Sequence, residues 1–147
     1  MEIPQRIQPQ SLSDYLDVMS KSVFQSGLSW RVVESKWPGT RAALGEFDPN
    51  IIAAFTEDDL DTLTEDARLI RSRRKLSAVI QNARRMLDLE REHGSFPNYL
   101  HSHGGFEATL EDLKKQFNYL GNAGAFRFLW VFAEDVPDYQ EWCQTHH

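Results

Sequence analysis

The sequence predicts an all-α protein, a compact bundle of short helices that includes a helix-hairpin-helix element. Three observations carry that reading. Apolar residues recur at helical spacing along most of the chain, and no segment alternates with the period of a strand. Capping residues and Gly or Pro breaks cut this pattern into about nine short elements. A tight connection, Thr64 to Leu69, joins a short helix to a long one that opens with cations. The 147 residues, 41% of them hydrophobic, suffice for one domain over 1–147 built on one core.

Residues 1–10 hold two prolines and three glutamines and read as an extended lead-in. Ser11 or Ser13 caps the first helix, and Tyr15, Leu16, Met19 and Val23 give it an apolar stripe reaching about Phe24. Ser26-Gly27 ends it. A second helix starts at Ser29 or Trp30 and stops near Lys36, because Pro38 biases Trp37 away from helical angles. Thr40–Leu44 resumes as a short helix. Asp48-Pro49 supplies an N-cap and a first-turn proline ahead of Ile51–Phe55, and Thr56-Glu57-Asp58-Asp59 caps the next helix through Leu60 and Leu63. The basic helix then runs from about Arg71 to Arg91, with Leu76, Val79, Ile80, Ala83, Met86 and Leu87 facing inward and His93-Gly94 closing it. Phe96–Leu100 is a short element before a flexible His101–Gly105. Thr109 caps a helix to about Phe117, and Gly121 ends it. Ala123–Glu134 is strongly apolar, and Pro137 opens a last turn carrying Tyr139, Trp142 and Cys143.

No apolar run approaches the roughly 20 residues that span a membrane, so no membrane partner is expected. The N-terminus lacks the apolar segment of a signal peptide. Cys143 is the single cysteine, which excludes an internal disulfide and fits a reducing, cytoplasmic setting. The net charge is −6, yet Arg68, Arg71, Arg73, Arg74, Lys75, Arg84 and Arg85 fall in one run without an acid. That run is +7, which leaves −13 for the remainder and predicts one positive surface on an acidic body. It reads either as a solvated helix face or as a phosphate-binding one. In a helix-hairpin-helix, hairpin amides and the next helix N-terminus grip a DNA phosphate.

One stretch is more specific. Ser22-Val23-Phe24-Gln25-Ser26-Gly27-Leu28-Ser29-Trp30 opens an ungapped run to Leu87 whose landmarks include Phe47-Asp48-Pro49, Glu57-Asp58, Ile70-Arg71, Arg73, Lys75 and Asn82-Ala83-Arg84. This run resembles the DNA-3-methyladenine glycosylase I family, base-excision enzymes of DNA repair. The resemblance covers nearly half of the chain and resumes weakly at Leu113-Lys114-Lys115 and Leu120-Gly121. It implies a DNA glycosylase that turns an alkylated purine out of duplex DNA into a pocket and hydrolyses its N-glycosidic bond. The alternative is a catalytically weak or inactive homologue that binds DNA or a protein partner.

The resemblance assigns roles residue by residue. Trp30 stacks on the extruded base, since tryptophan gives the strongest cation–π contact with a positively charged 3-methyladenine. Gln25 and Ser22 line the pocket. Gly27 and Leu28 plug the gap left in the duplex. Arg71, Arg73 and Lys75 hold phosphates. Each has a plainer reading: a core tryptophan, a polar helix end, an elbow with a buried leucine, a solvated charge run. Ser22 stands where the family has its base-recognising glutamate. Glu34, four residues after Trp30, is either a replacement carboxylate or an exposed acid paired with a neighbour. Arg68 and Arg74 replace two hairpin glycines. A family zinc histidine and cysteine fall on Tyr139 and Cys143, and no counterpart of the N-terminal zinc ligands or stacking tyrosine is present. No metal and no cofactor are therefore expected, and Cys143-x3-His147 is a chance-level match.

Overall fold

The computed structural model describes residues 3–146, so His147 lies outside the described residues. Nine α-helices run through them in the order α1 (Leu12–Gln25), α2 (Trp30–Ala43), α3 (Pro49–Ala53), α4 (Glu57–Thr64), α5 (Arg73–His93), α6 (Phe96–Leu100), α7 (Phe106–Gln116), α8 (Asn122–Val131) and α9 (Tyr139–Thr145). A 3₁₀ turn, Gly45–Phe47, separates α2 from α3. The described residues contain no strand. No described helix is long and apolar enough to cross a membrane.

Caps set most of these boundaries. Asp48 accepts from Asn50 N at 2.9 Å and opens α3. Thr56 and Asp59 form a reciprocal capping box on α4. Ser72, Ser95 and Asp138 cap α5, α6 and α9 with their side chains. The lead-in is extended and lies along α8, where Ile7 N donates to Val131 O and Trp130 Nε1 donates to Pro4 O at 3.0 Å.

Helix α5 is the axis of the bundle, in contact with α1, α3, α4 and α6. Its Leu76, Val79, Ala83 and Met86 are buried in one core with Leu16, Met19, Val23 and Phe24 of α1. Leu87 is only half-buried, and Leu89 takes the inward position instead. Tyr15, Phe96, Phe128 and Phe132 make an aromatic cluster where α1, α6 and α8 meet.

Three boundaries differ from the sequence reading. Helix α2 does not stop at Lys36 but continues through Pro38 to Ala43. A proline inside a helix costs about 3 kcal/mol, and here tertiary contacts outweigh it. Trp37 is buried, stacks on Phe47 at 5.1 Å and donates from Nε1 to Asp17 Oδ1 at 2.9 Å. Thr109 does not cap α7: the helix starts at Phe106, whose ring packs on Phe126, and Thr109 Oγ1 donates back to Gly105 O. Helix α8 ends at Val131 rather than Glu134, since Ala133 takes a left-handed φ of 57°.

Asp17 is the buried charge that this packing needs. It accepts from Trp37 and pairs with Arg41, which reaches on to Glu46 at 3.0 Å. Asp17→Ala strands the Trp37 N–H in the core and should cost about 1–3 kcal/mol. Asp17→Asn keeps an acceptor and should cost clearly less. Urea denaturation of both variants checks the order.

Candidate functional site

Helix α1 must end abruptly so that α2 can start five residues later. Gly27, with φ of +78°, supplies the left-handed step, and a Cβ there would meet nothing within 4 Å. Leu28 N donates to Gln25 O at 2.7 Å, and Gln25 Nε2 donates to Leu28 O at 3.1 Å, so the Gln25 side chain closes the elbow. Ser29 Oγ then caps α2 by accepting from Val32 N. Gly27 is exposed and Leu28 half-buried.

A cavity of about 370 Å³ opens beside this elbow, within the usual range of about 300–1,000 Å³ for small-ligand sites. Ser22 and Gln25 of α1 and Trp30 of α2 form one wall. Residues 121–124 at the start of α8, with Arg127, form the other, and Tyr119 and Tyr139 flank it. The walls approach closely because Gly124 faces Ser22: a Cβ at Gly124 would lie 3.3 Å from Ser22 Cβ. The structure thus brings Ser22, Gln25 and Trp30 into one cavity.

Arg127 is the residue that the sequence reading missed. Its guanidinium sits over the Trp30 ring, 4.4 Å from the centroid. Burial pushes its pKa down, with Tyr139, Glu34 and Asp17 opposing the shift. Nη1 is fully buried and has no hydrogen-bond partner. The signal was present, since Arg127 is the one charged residue within α8. Glu34 pairs with Lys21 at 3.3 Å, as an exposed acid with a neighbour would. Tyr139 also went unassigned; burial raises its pKa, with Cys143 adding to the rise.

The cavity's outer rim is held from α5. Buried Asn82 accepts from Asn118 N at 2.8 Å and donates to Asn118 O at 3.1 Å. That clamp fixes the turn in which Tyr119 adopts a left-handed φ of 59°. Tyr119 also borders an open groove of about 580 Å³ lined by Glu57, Arg73, Arg74, Gln81 and Asn118.

The seven-cation run is not the uniform positive surface expected. Arg68 pairs with Asp66 at 2.7 Å. Arg73 bridges Asp61 at 2.5 Å and Glu57 at 3.0 Å on α4. Lys75 donates to Phe24 O at 3.0 Å and to Ser26 O. Arg84 donates to the carbonyls of Ala53 and Phe55, and Arg85 to Gln116. Arg71 and Arg74 are exposed and, among the described residues, make no ion pair. Among the described residues only Arg73 turns to the acids of α4, meeting Glu57 in its first turn and Asp61 one turn on.

A family model for methyladenine glycosylase matches residues 11–123. The chain belongs to the methyladenine glycosylase family. It is 41% identical over 78 residues to DNA-3-methyladenine glycosylase 1 of Escherichia coli, covering 53% of this chain and 42% of that protein. It is 35% identical over 89 residues to DNA-3-methyladenine glycosylase of Haemophilus influenzae, covering 60% of this chain and 48% of that one. The chain thus spans less than half the length of either relative. In fold it is similar to a crystal structure of 3-methyladenine DNA glycosylase I, with a TM-score of 0.74, 26% identity and coverage of 86% and 81% of the two chains. The Staphylococcus aureus 3-methyladenine DNA glycosylase I shares the fold at a TM-score of 0.75 and 22% identity, over 90% of this chain and 82% of that one.

The family match spans the elbow and the cations that open α5, and stops short of Arg127. Among the described residues no three His, Cys, Asp or Glu side chains converge as metal ligands would. Lys75 is better described by what it holds: the last carbonyls of α1, at the elbow. Lys75→Met should lower stability by about 1–2 kcal/mol, while the salt dependence of any duplex binding stays unchanged. Thermal melts and binding isotherms at several salt concentrations separate the two effects.

Proposed function

We propose that this chain is a DNA N-glycosylase that takes an alkylated purine out of the duplex and hydrolyses its glycosidic bond. The observation that carries the reading is that Ser22, Gln25 and Trp30 meet in one cavity, between the exposed Gly27-Leu28 elbow and the groove bearing Arg74. Both curated relatives are named 3-methyladenine glycosylases, which supports the same chemistry. The substrate is duplex DNA, and the lone cysteine suits a cytoplasmic enzyme.

In this reading the duplex lies across the groove, and exposed Arg71 and Arg74 contact its phosphates. Leu28 enters the stack where the nucleotide has left, and Gly27 lets the backbone approach closely. Hydrolysis forms a bond from a water oxygen to C1′ and breaks the C1′–base bond. The bonding electron pair leaves with the purine, and the water gives up a proton. For 3-methyladenine the departing cation becomes neutral, so the base itself supplies most of the driving force, and the protein's part is to hold it everted. Among the described residues no carboxylate lines the cavity to oppose that cation.

Losing one charge-assisted hydrogen bond costs on the order of 1.5–3 kcal/mol, and each 1.4 kcal/mol is roughly tenfold in rate. Release of 3-methyladenine from methylated duplex DNA should therefore run about ten- to a hundredfold below a relative with the glutamate. Trp30→Ala should abolish release and Ser22→Glu should raise it. Chromatography of released bases decides. Release at the relative's full rate would remove the deficit assigned to Ser22, and no release from any duplex would sink the enzymatic reading.

The phosphate surface gives a separate expectation. Arg71→Glu with Arg74→Glu should weaken duplex binding and flatten its salt dependence by about two phosphate contacts' worth. Arg73→Glu should act mainly by repelling Glu57 and Asp61, and so should lower stability. Filter binding at a range of salt concentrations, with melting curves for each variant, distinguishes them.

A further inference from the structure

We propose that Tyr119 positions the everted nucleotide, packing its ring on the deoxyribose where the base pocket opens into the DNA groove. The inference rests on the reading that the cavity receives a base turned out of duplex DNA. It adds what holds the sugar while the base is inside.

Tyr119 is singled out by its place. It lines both the cavity of about 370 Å³ beside Trp30 and the groove of about 580 Å³ that bears Arg74. Among the described residues no other lines both. An everted nucleotide spans the same junction, with its base in the cavity and its phosphates in the groove. The group between base and phosphate is the deoxyribose, so the sugar falls against Tyr119. A flat apolar ring packs on the C–H edges of a sugar through many small dispersion contacts. It needs no charge to do so, and the contact is close to C1′, the atom that water attacks.

The backbone holds the ring there against its own preference. Tyr119 has a φ of 59°, a left-handed conformation that bulky side chains rarely adopt. Phe47 shares that φ, but it is buried and stacked on Trp37, so core packing accounts for it. Tyr119 is 39% exposed, the one aromatic among the exposed large hydrophobic residues described. Both flanks of its turn are fixed. Phe117 and Leu120 are buried, Asn118 is gripped twice by Asn82, and Asn118 Nδ2 donates to Gln81 Oε1 at 2.7 Å. The turn therefore presents the Tyr119 ring outward in one orientation. Glycine would adopt this conformation without strain, and burial gives no reason for a tyrosine. Strain of this kind persists where the surroundings impose it, and it gathers at ligand clamps.

Two measurements on the full chain test this: single-turnover release of 3-methyladenine from methylated duplex, and calorimetric titration with free 3-methyladenine. Tyr119→Gly removes the ring and relieves the strain together, so the turn stays folded, which circular dichroism melts establish. Its release should slow about tenfold or more, because a loosely held C1′ spends less time in line with the attacking water. The free base carries no sugar, so its affinity should change less than about twofold, a small shift on the affinity scale. Tyr119→Phe keeps the ring and should release base at the unmodified rate. Unchanged release by Tyr119→Gly, or equal slowing of Tyr119→Phe, overturns the inference and leaves the base-pocket reading standing. A matching loss of free-base affinity also overturns it, since Tyr119 would then be a wall for the base and not a support for the sugar. No release by the unmodified protein overturns both.

Discussion

The site depends on how the C-terminal end of α1 is held. A helix end leaves its last carbonyls without partners, and here the chain turns sharply instead of fraying into solvent. Lys75, from the first turn of α5, donates to the carbonyls of Phe24 and Ser26, and Gln25 closes the turn onto Leu28. Burial lowers the Lys75 pKa, which reflects how far it is drawn into the contact. Through this one ammonium the hairpin, the elbow and the pocket wall become a single rigid unit. Trp30 then starts α2 at a fixed distance from Ser22, and α8 closes the opposite wall because Gly124 has no side chain to keep it away.

The same economy governs the charges. Five members of the basic run, Arg68, Arg73, Lys75, Arg84 and Arg85, have intramolecular partners. They are structural: Arg84 ties α5 to the end of α3, Arg73 ties it to α4, and Lys75 ties it to α1. Arg68, Arg73 and Arg85 lie beside acids, while Lys75 and Arg84 end on backbone carbonyls. Arg71 and Arg74 stay exposed and, among the described residues, form no ion pair.

How much was legible in the sequence varies with the kind of information. The helices were, because caps such as Asp48 and the Thr56/Asp59 box, and apolar spacing in α1 and α5, are local signals. The run through Pro38 was not, because the stacking of Trp37 on Phe47 and its bond to Asp17 join residues far apart in sequence. The gathering of Ser22, Gln25 and Trp30 followed from the elbow, which is one contiguous stretch. Arg127 lies about a hundred residues further on, and only the packing of α8 against α1 makes it a neighbour of Trp30. A tally of charges by segment likewise could not tell a cation that faces solvent from one capping a carbonyl.

Ser22 and Arg127 together carry the strongest consequence of that packing. The departure at Ser22 taken alone weakens a pocket for a cation. A guanidinium on the opposite wall does something different in kind, because it already covers a face of the Trp30 ring. Among the described residues the cavity is lined by no Asp or Glu and by one guanidinium. The two walls of the cavity, Ser22 on one side and Arg127 on the other, are thus set by residues from opposite ends of the chain.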